Sequence, residues 1–277
     1  MRFLDVRANK EGLFLEELKG YIYSFDSVVT PRVIAEHFEV DQVKAASYLR
    51  DLEKLGLITK KGKGEYINYL QSAIKPEIDV EIERINRILR DKSPYMDFVI
   101  WSLVNLKNFY FNIPYSNYVF IEVKERYELE TIRATLFEQS IESVINPKEM
   151  EFKDFMYRNT LPVILLKRGA RGGIIKIGDI NTVTLERTIV DLYFYITKRR
   201  VPFPIEELGH ILRKTIETGE FNFTFLDNYV RWRNLEVDFL IIFSKLERKY
   251  PNSIPGRYKK RLDSITENVK SLIGEGR

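Results

Sequence analysis

The chain has 277 residues, 30% of them charged and 44% hydrophobic, a globular balance that excludes a largely disordered polypeptide. It contains no cysteine and two histidines, His37 and His210, so disulfides, thiol nucleophiles and thiolate metal sites are excluded and zinc or histidine catalysis has few parts. A net charge of +4 is too mild to argue for a nucleic-acid partner, and only the distribution of charge could do so.

No window approaches the roughly 18 uninterrupted apolar residues of a membrane helix. Met1-Arg2-Phe3-Leu4-Asp5 meets charge too early for a secretory signal. A cytoplasmic protein without a membrane partner is expected.

From Gly12 to Tyr69 the punctuation is legible. Leu13, Leu15, Leu18, Tyr21 and Ile22, set among Glu16, Glu17 and Lys19, predict a first amphipathic helix that ends near Asp26-Ser27. Thr30-Pro31 predicts a helix start, a side-chain oxygen to cap and a proline where its missing N–H costs nothing, with Val33, Ile34 and Phe38 turned inward. After the turn Glu39-Val40, Asp41 caps a longer helix to Leu55, stopped by Gly56. In it Ala45, Leu49 and Leu52 form the buried stripe, leaving Lys44, Ser47, Arg50, Asp51 and Lys54 on a polar face. Leu57-Ile58-Thr59, Lys60-Lys61-Gly62-Lys63-Gly64 and Glu65-Tyr66-Ile67 then predict a hairpin with a basic tip.

Two helices joined by a short turn place the second in the major groove, its amino-terminal half nearest the base edges. A basic hairpin beside it rests on phosphates, where affinity is electrostatic. The pattern predicts a winged helix-turn-helix over 1–72 that binds double-stranded DNA, with Lys44, Ser47 and Arg50 facing the groove and Lys60, Lys61 and Lys63 on the backbone. The alternative is a protein-docking adaptor, because the same module also serves that purpose; three lysines within four residues favour DNA. Asp51 and Glu53 lie toward the end of the helix that points away from the groove.

Residues 73–92 read as a connector with a short helix bracketed by Pro76 and Pro94. Over 93–200, strands at Phe98 to Trp101, Tyr118 to Val123, Ser143 to Ile145 and Val163 to Leu166 alternate with helices at Ser102 to Tyr110, Glu128 to Glu138 and Lys148 to Tyr157. The fold class is therefore α/β. Arg168 to Gly173 reads as a basic turn joining Leu165-Leu166 to Ile174–Ile177 in a hairpin; a strand after the glycines rules against a phosphate-binding loop. Over 201–277 the chain is helical, with runs at Ile205 to Thr218, Phe223 to Arg231, Leu235 to Tyr250 and Arg257 to Ile273. Its tail is basic, with nine cationic against four acidic residues from Lys245 onward, either a second place where nucleic acid could be held or, more commonly for such a run, a solvated helix face.

Asp97, Glu122 and Lys124 could serve a metal-dependent DNA nuclease of the restriction-endonuclease-like class, two carboxylates holding a cation and a lysine beside the attacked phosphate. Such carboxylates usually sit on adjacent strands, whereas a helical run, Ser102 to Tyr110, separates these in sequence. Nucleotidyl transfer would need an Asp-x-Asp pair, which does not occur. Glu186 and Asp191 fall on an apolar helix capped by Thr184 and read as structural. No catalytic residue, cofactor or metal is expected.

The order Ile100-Trp101-Ser102, Asn105, Tyr118 to Val123, Asn146-Pro147 and Thr184-Leu185-Glu186-Arg187-Thr188-Ile189-Val190-Asp191-Leu192, after the amino-terminal module, resembles the AbiEi antitoxin family over nearly the whole chain. The resemblance implies an antitoxin of a phage-defence toxin–antitoxin pair that represses its own promoter. It also implies an AbiEii-like nucleotidyltransferase toxin as partner, counteracted without a necessary stable complex. The chain departs from the family in its tail after Pro251 and in Arg187 and Thr188, which replace the usual lysine and aliphatic residue.

Overall fold

The computed structural model describes residues 3–259 except 26–27, 72–74, 111–116, 160, 170–171, 200, 202, 219–220, 252–253, 255 and 257–258. The helix expected from Arg257 to Ile273 and most of the basic tail lie outside the described residues.

The amino-terminal unit is three helices and a hairpin. α1 (Phe3–Ser24) turns Leu18 and Ile22 inward. α2 (Pro31–Phe38) starts where Thr30 Oγ1 accepts from Val33 N and ends at Glu39, whose left-handed backbone (φ 52°) turns the chain. α3 (Gln42–Lys54) starts at Asp41, whose Oδ1 accepts from Val43 N at 2.7 Å. Ala45, Leu49 and Leu52 are its buried stripe. β1 (Ile58–Gly62) and β2 (Glu65–Asn68) pair antiparallel, and Val29 adds a bridge to Tyr66. Gly64 takes a positive φ of 75° in the tip, where a side chain would be strained.

The body is α/β. Its sheet has the order β3-β4-β6-β5, where β3 is Phe98–Ser102, β4 Val119–Val123, β5 Ser143–Ile145 and β6 Val163–Lys167. β3 runs antiparallel to β4, while β4 and β5 run parallel to β6. Every residue of β3 and β4 is buried, as expected of strands covered on both faces. On one face Phe98, Ile100, Val119, Ile121 and Leu165 pack against α4 (Val80–Lys92) and α5 (Arg126–Glu138). The stretch expected as a connector thus supplies Ile82, Ile85 and Leu89 to this core, while Val80, at the start of its helix, is exposed.

Val99, Trp101, Phe120 and Ile164, on the other face, join the larger core. Covering it are a 3-10 helix (Leu103–Phe109), α7 (Leu185–Arg199), α8 (Ile205–Glu217), α9 (Phe223–Trp232) and α10 (Glu236–Lys249). The carboxyl-terminal helices therefore share one core with the sheet. α6 (Glu149–Arg158) lies between β5 and β6 in the chain.

One expected hairpin is absent. β6 stays in the large sheet, and β7 (Ile174–Ile177) pairs instead with β8 (Ile180–Val183), a strand the sequence reading missed. The reason is at the turns. Gly178 and Asp179 make the two-residue turn that closes a hairpin, with Gly178 at φ 60°. The glycines before β7 serve closeness: a Cβ on Gly173 (φ 67°) would stand 2.5 Å from the Phe225 ring.

That closeness seats the amino-terminal unit on the body. Gly173 N donates to Leu55 O at 2.7 Å, just past α3. Asn222 Nδ2 donates to Glu53 O and Ile58 O, both at 3.0 Å, while its Oδ1 caps α9 by accepting from Phe225 N. Asn222→Ala should therefore destabilise the protein by about 2–4 kcal/mol, a lost cap plus carbonyls left without this donor. Thermal melts and limited proteolysis check this, and unchanged stability would mean the two parts do not lean on this residue.

Candidate functional site

Two places gather charged groups. The first is the outer surface of the amino-terminal unit. Lys44, Ser47 and Arg50 are exposed on one side of α3, opposite the stripe that packs on α1 and α2. Arg50 Nε donates only to Ala46 O in its own helix, and Asp51 pairs with Lys54, outside this group. Glu53, toward the end of the helix away from these residues, is buried and accepts from Thr224 Oγ1 at 3.0 Å.

Lys60, Lys61 and Lys63 are exposed at the hairpin tip. The register slips between Lys60 and Gly62, leaving Lys61 without a cross-strand partner, and such a bulge re-aims a side chain away from the ladder. Among the described residues no carboxylate comes within ion-pair distance of Lys44, Arg50, Lys60, Lys61 or Lys63. Five cations without an ion-pair partner among the described residues thus share one small unit.

The second place lies within the body, where α7 is buried almost all round, from Leu185 through Tyr193. Polar groups on such a helix must find partners inside. Arg187, with no exposed side-chain surface, donates from Nη2 to Glu122 Oε2 at 2.5 Å, from Nη1 to Gly172 O at 2.9 Å and from Nε to Asp191 Oδ2 at 3.3 Å. Asp191 also accepts from Tyr229 OH at 2.9 Å and from Arg233 Nε at 2.7 Å. Trp101 Nε1 donates to the other oxygen of Glu122 at 3.1 Å. Burial pushes the Asp191 carboxyl upward, and the two guanidinium groups pull it back toward the ionised form. The same carboxylates hold the Arg187 and Arg233 guanidinium groups charged.

Among the described residues no cation pairs with Glu186. It accepts from Tyr69 OH at 2.9 Å and from Asn222 N at 2.8 Å, and full burial raises its pKa above the ordinary 4.5. The folded state therefore keeps this proton longer than the unfolded chain does. Its contribution to stability falls as pH rises through about 4.5 and levels off above the raised value. Glu186→Gln should remove that fall: the stability difference between variant and parent should move in the variant's favour with rising pH. Urea unfolding at a series of pH values measures it, and a pH-independent difference would mean the carboxyl is ionised in both states.

The nuclease constellation has a different layout from the expected one. β3 pairs directly with β4, so Glu122 lies on β4 opposite Val99, and Asp97 is the residue that precedes β3. The 3-10 helix that separates them in sequence merely returns the chain. Their surroundings are what differ from a metal site. Asp97 is held by Lys124 at 2.9 Å and Arg168 at 3.1 Å, and both oxygens of Glu122 are taken by Arg187 and Trp101. Asp97 sits below its ordinary range: Lys124 and Arg168 outweigh burial, which on its own would raise it. No cluster of three or more His, Cys, Asp or Glu side chains able to hold a metal ion occurs among the described residues.

Beside this network opens a pocket of about 200 Å³, lined among others by Glu122, Asn146, Lys167, Arg187, Arg199 and Arg233. The sequence reading did not single out Lys167, Arg199 or Arg233. They come from β6, the end of α7 and the residue after α9, so no local pattern joins them, whereas Glu122, Asn146 and Arg187 fell within recognised motifs.

Residues 44–249 match a family of unknown function, DUF6577. The chain belongs to that family. The matched span begins inside α3 and ends with α10, so it takes in the basic hairpin, the sheet and the buried arginine network and leaves out α1 and α2. No curated protein matches the chain. No helix among the described residues is long and apolar enough to cross a membrane.

Proposed function

We propose that residues 1–72 form a winged helix that binds double-stranded DNA, and that the protein is a transcriptional repressor of its own promoter. The observation that carries this reading is the set of five exposed cations on α3 and the hairpin, Lys44, Arg50, Lys60, Lys61 and Lys63, without an ion-pair partner among the described residues and with Ser47 exposed among them. Exposed cations without internal partners lose nothing on meeting phosphate and release its counterions. α3 presents its polar side as a groove-entering helix, and the bulged hairpin offers lysines for the backbone.

Supported by the resemblance to the AbiEi family, the repressor is the antitoxin of an abortive-infection pair and counteracts a nucleotidyltransferase toxin. Arg187, the departure from that family's pattern, is engaged inside the body by Glu122 and Asp191. Its guanidinium makes three bonds that a lysine ammonium could not make in one plane.

An electrophoretic mobility shift at low salt, using the protein's own upstream region and a scrambled duplex, tests the DNA reading. Retarded migration of both fragments, tighter for the first, is expected; a folded protein that shifts neither ends the proposal. Co-expression with the nucleotidyltransferase encoded beside it tests the antitoxin role through restored growth. Lys44→Ala should change the ranking of operator variants by about 1–3 kcal/mol at one base position while leaving non-specific binding nearly intact. A selection from randomised duplexes measures this, and an unchanged consensus would move base reading away from α3.

A further inference from the structure

We infer that the pocket beside the arginine network is a binding site for a phosphate-type anion, independent of the DNA reading. The pocket is small, about 200 Å³, below the roughly 300–1,000 Å³ of sites that take drug-sized ligands. Its charge is one-sided. Lys167, Arg187, Arg199 and Arg233 line it against a single lining carboxylate, Glu122, with Asp191 behind. Those two carboxylates are already spent, Glu122 on Arg187 and Trp101, Asp191 on Arg187, Arg233 and Tyr229. The Lys167 ammonium and the Arg199 guanidinium have no carboxylate at ion-pair distance among the described residues, which leaves two positive charges for a ligand to meet.

The remaining polar group points the same way. Asn146 Oδ1 accepts from Lys167 N at 3.4 Å, so its amide NH2 is the end left to donate. One wall is aromatic: Phe194 and Tyr195 line the pocket, and the Arg233 guanidinium lies 4.8 Å from the Phe194 ring centre, fixed in place by Asp191. The Lys167 ammonium, the Arg199 and Arg233 guanidinium groups and the Asn146 amide line one small space whose carboxylate, Glu122, is already engaged by Arg187 and Trp101, which suits a tetrahedral oxyanion carrying two negative charges.

Isothermal titration calorimetry on the full chain, at constant ionic strength held with potassium chloride, tests the site with two probes. The probes are inorganic phosphate and glycerol 3-phosphate. Saturable binding at one site per chain is expected, with a Tm rise of about 5 °C or more at a hundredfold excess over Kd. Tighter inorganic phosphate assigns the free ion, and tighter glycerol 3-phosphate assigns a phosphoryl group on a larger molecule. Arg199→Ala and Lys167→Ala, both at exposed positions, should each weaken binding by about tenfold or more, while Lys176→Ala, an exposed cation outside the pocket, should not. Absence of saturable binding by either probe, or equal affinity in all three variants and the parent, overturns the assignment.

Discussion

Arg187→Met is expected to destabilise the protein by about 3–5 kcal/mol, the cost of stripping a buried carboxylate of its partner. The side chain has no solvent exposure and ties together three separate pieces of chain: Glu122 on β4, Asp191 on its own helix and the backbone of Gly172 before β7. Methionine fills much of the volume but leaves Glu122 charged, buried and held only by the Trp101 indole. Asp191 suffers less, because Arg233 and Tyr229 remain. Adding Glu122→Gln to Arg187→Met should then recover a large part of the loss, since glutamine is neutral and keeps an oxygen for Trp101. A double-mutant cycle by urea unfolding measures the coupling. If the double variant is as unstable as the sum of the singles, the charge on Glu122 is not what Arg187 offsets.

Reversing charge at the hairpin, with Lys60, Lys61 and Lys63 all changed to glutamate, should weaken DNA binding on the order of a hundredfold or more at moderate salt. The loss should be alike for every sequence, because phosphate contacts position without reading bases. Plotted as log affinity against log salt, the slope should flatten by about 2–3, three contacts each contributing roughly 0.9. Folding should be unaffected: all three side chains are exposed, and surface changes of this kind are usually worth within about 0.5 kcal/mol. Fluorescence anisotropy across a salt series provides the measurement. A triple variant with the parent's slope would place the DNA interface elsewhere.

These experiments address different links of one structure. Asn222 and Phe225 fasten α9 to the end of α3 and to the glycines before β7, while Tyr229 and Arg233, at the other end of the same stretch, hold Asp191 at the pocket. A ten-residue helix thus touches both the amino-terminal unit and the arginine network beside the pocket.

Local chemistry was readable because it is local. Thr30-Pro31, Asp41 and Gly56 mark helix ends through their own backbone preferences, and the structure has α2 and α3 where those residues put them. The alternation of apolar bursts located β3, β4, β5 and β6 to within a residue, since strands covered on both faces read as continuous apolar runs. The lysines of the hairpin were visible for the same reason: a turn exposes what it carries.

Pairing was not readable. Which strands neighbour β6, and that β3, following Asp97, lies beside β4, carrying Glu122, depend on contacts between residues far apart in the chain. The fate of each charge was equally hidden. Glu53 and Lys54 are neighbours in one helix, yet the first is buried under α9 and the second is exposed. Arg187 looks like any helical arginine until the fold brings Glu122 to it across 65 residues. Periodicity and caps act through the few residues on either side, so they specify the elements. Burial and ion pairing are settled when distant elements close on one another, and that packing alone decided which cations are spent inside the protein and which remain to meet a ligand.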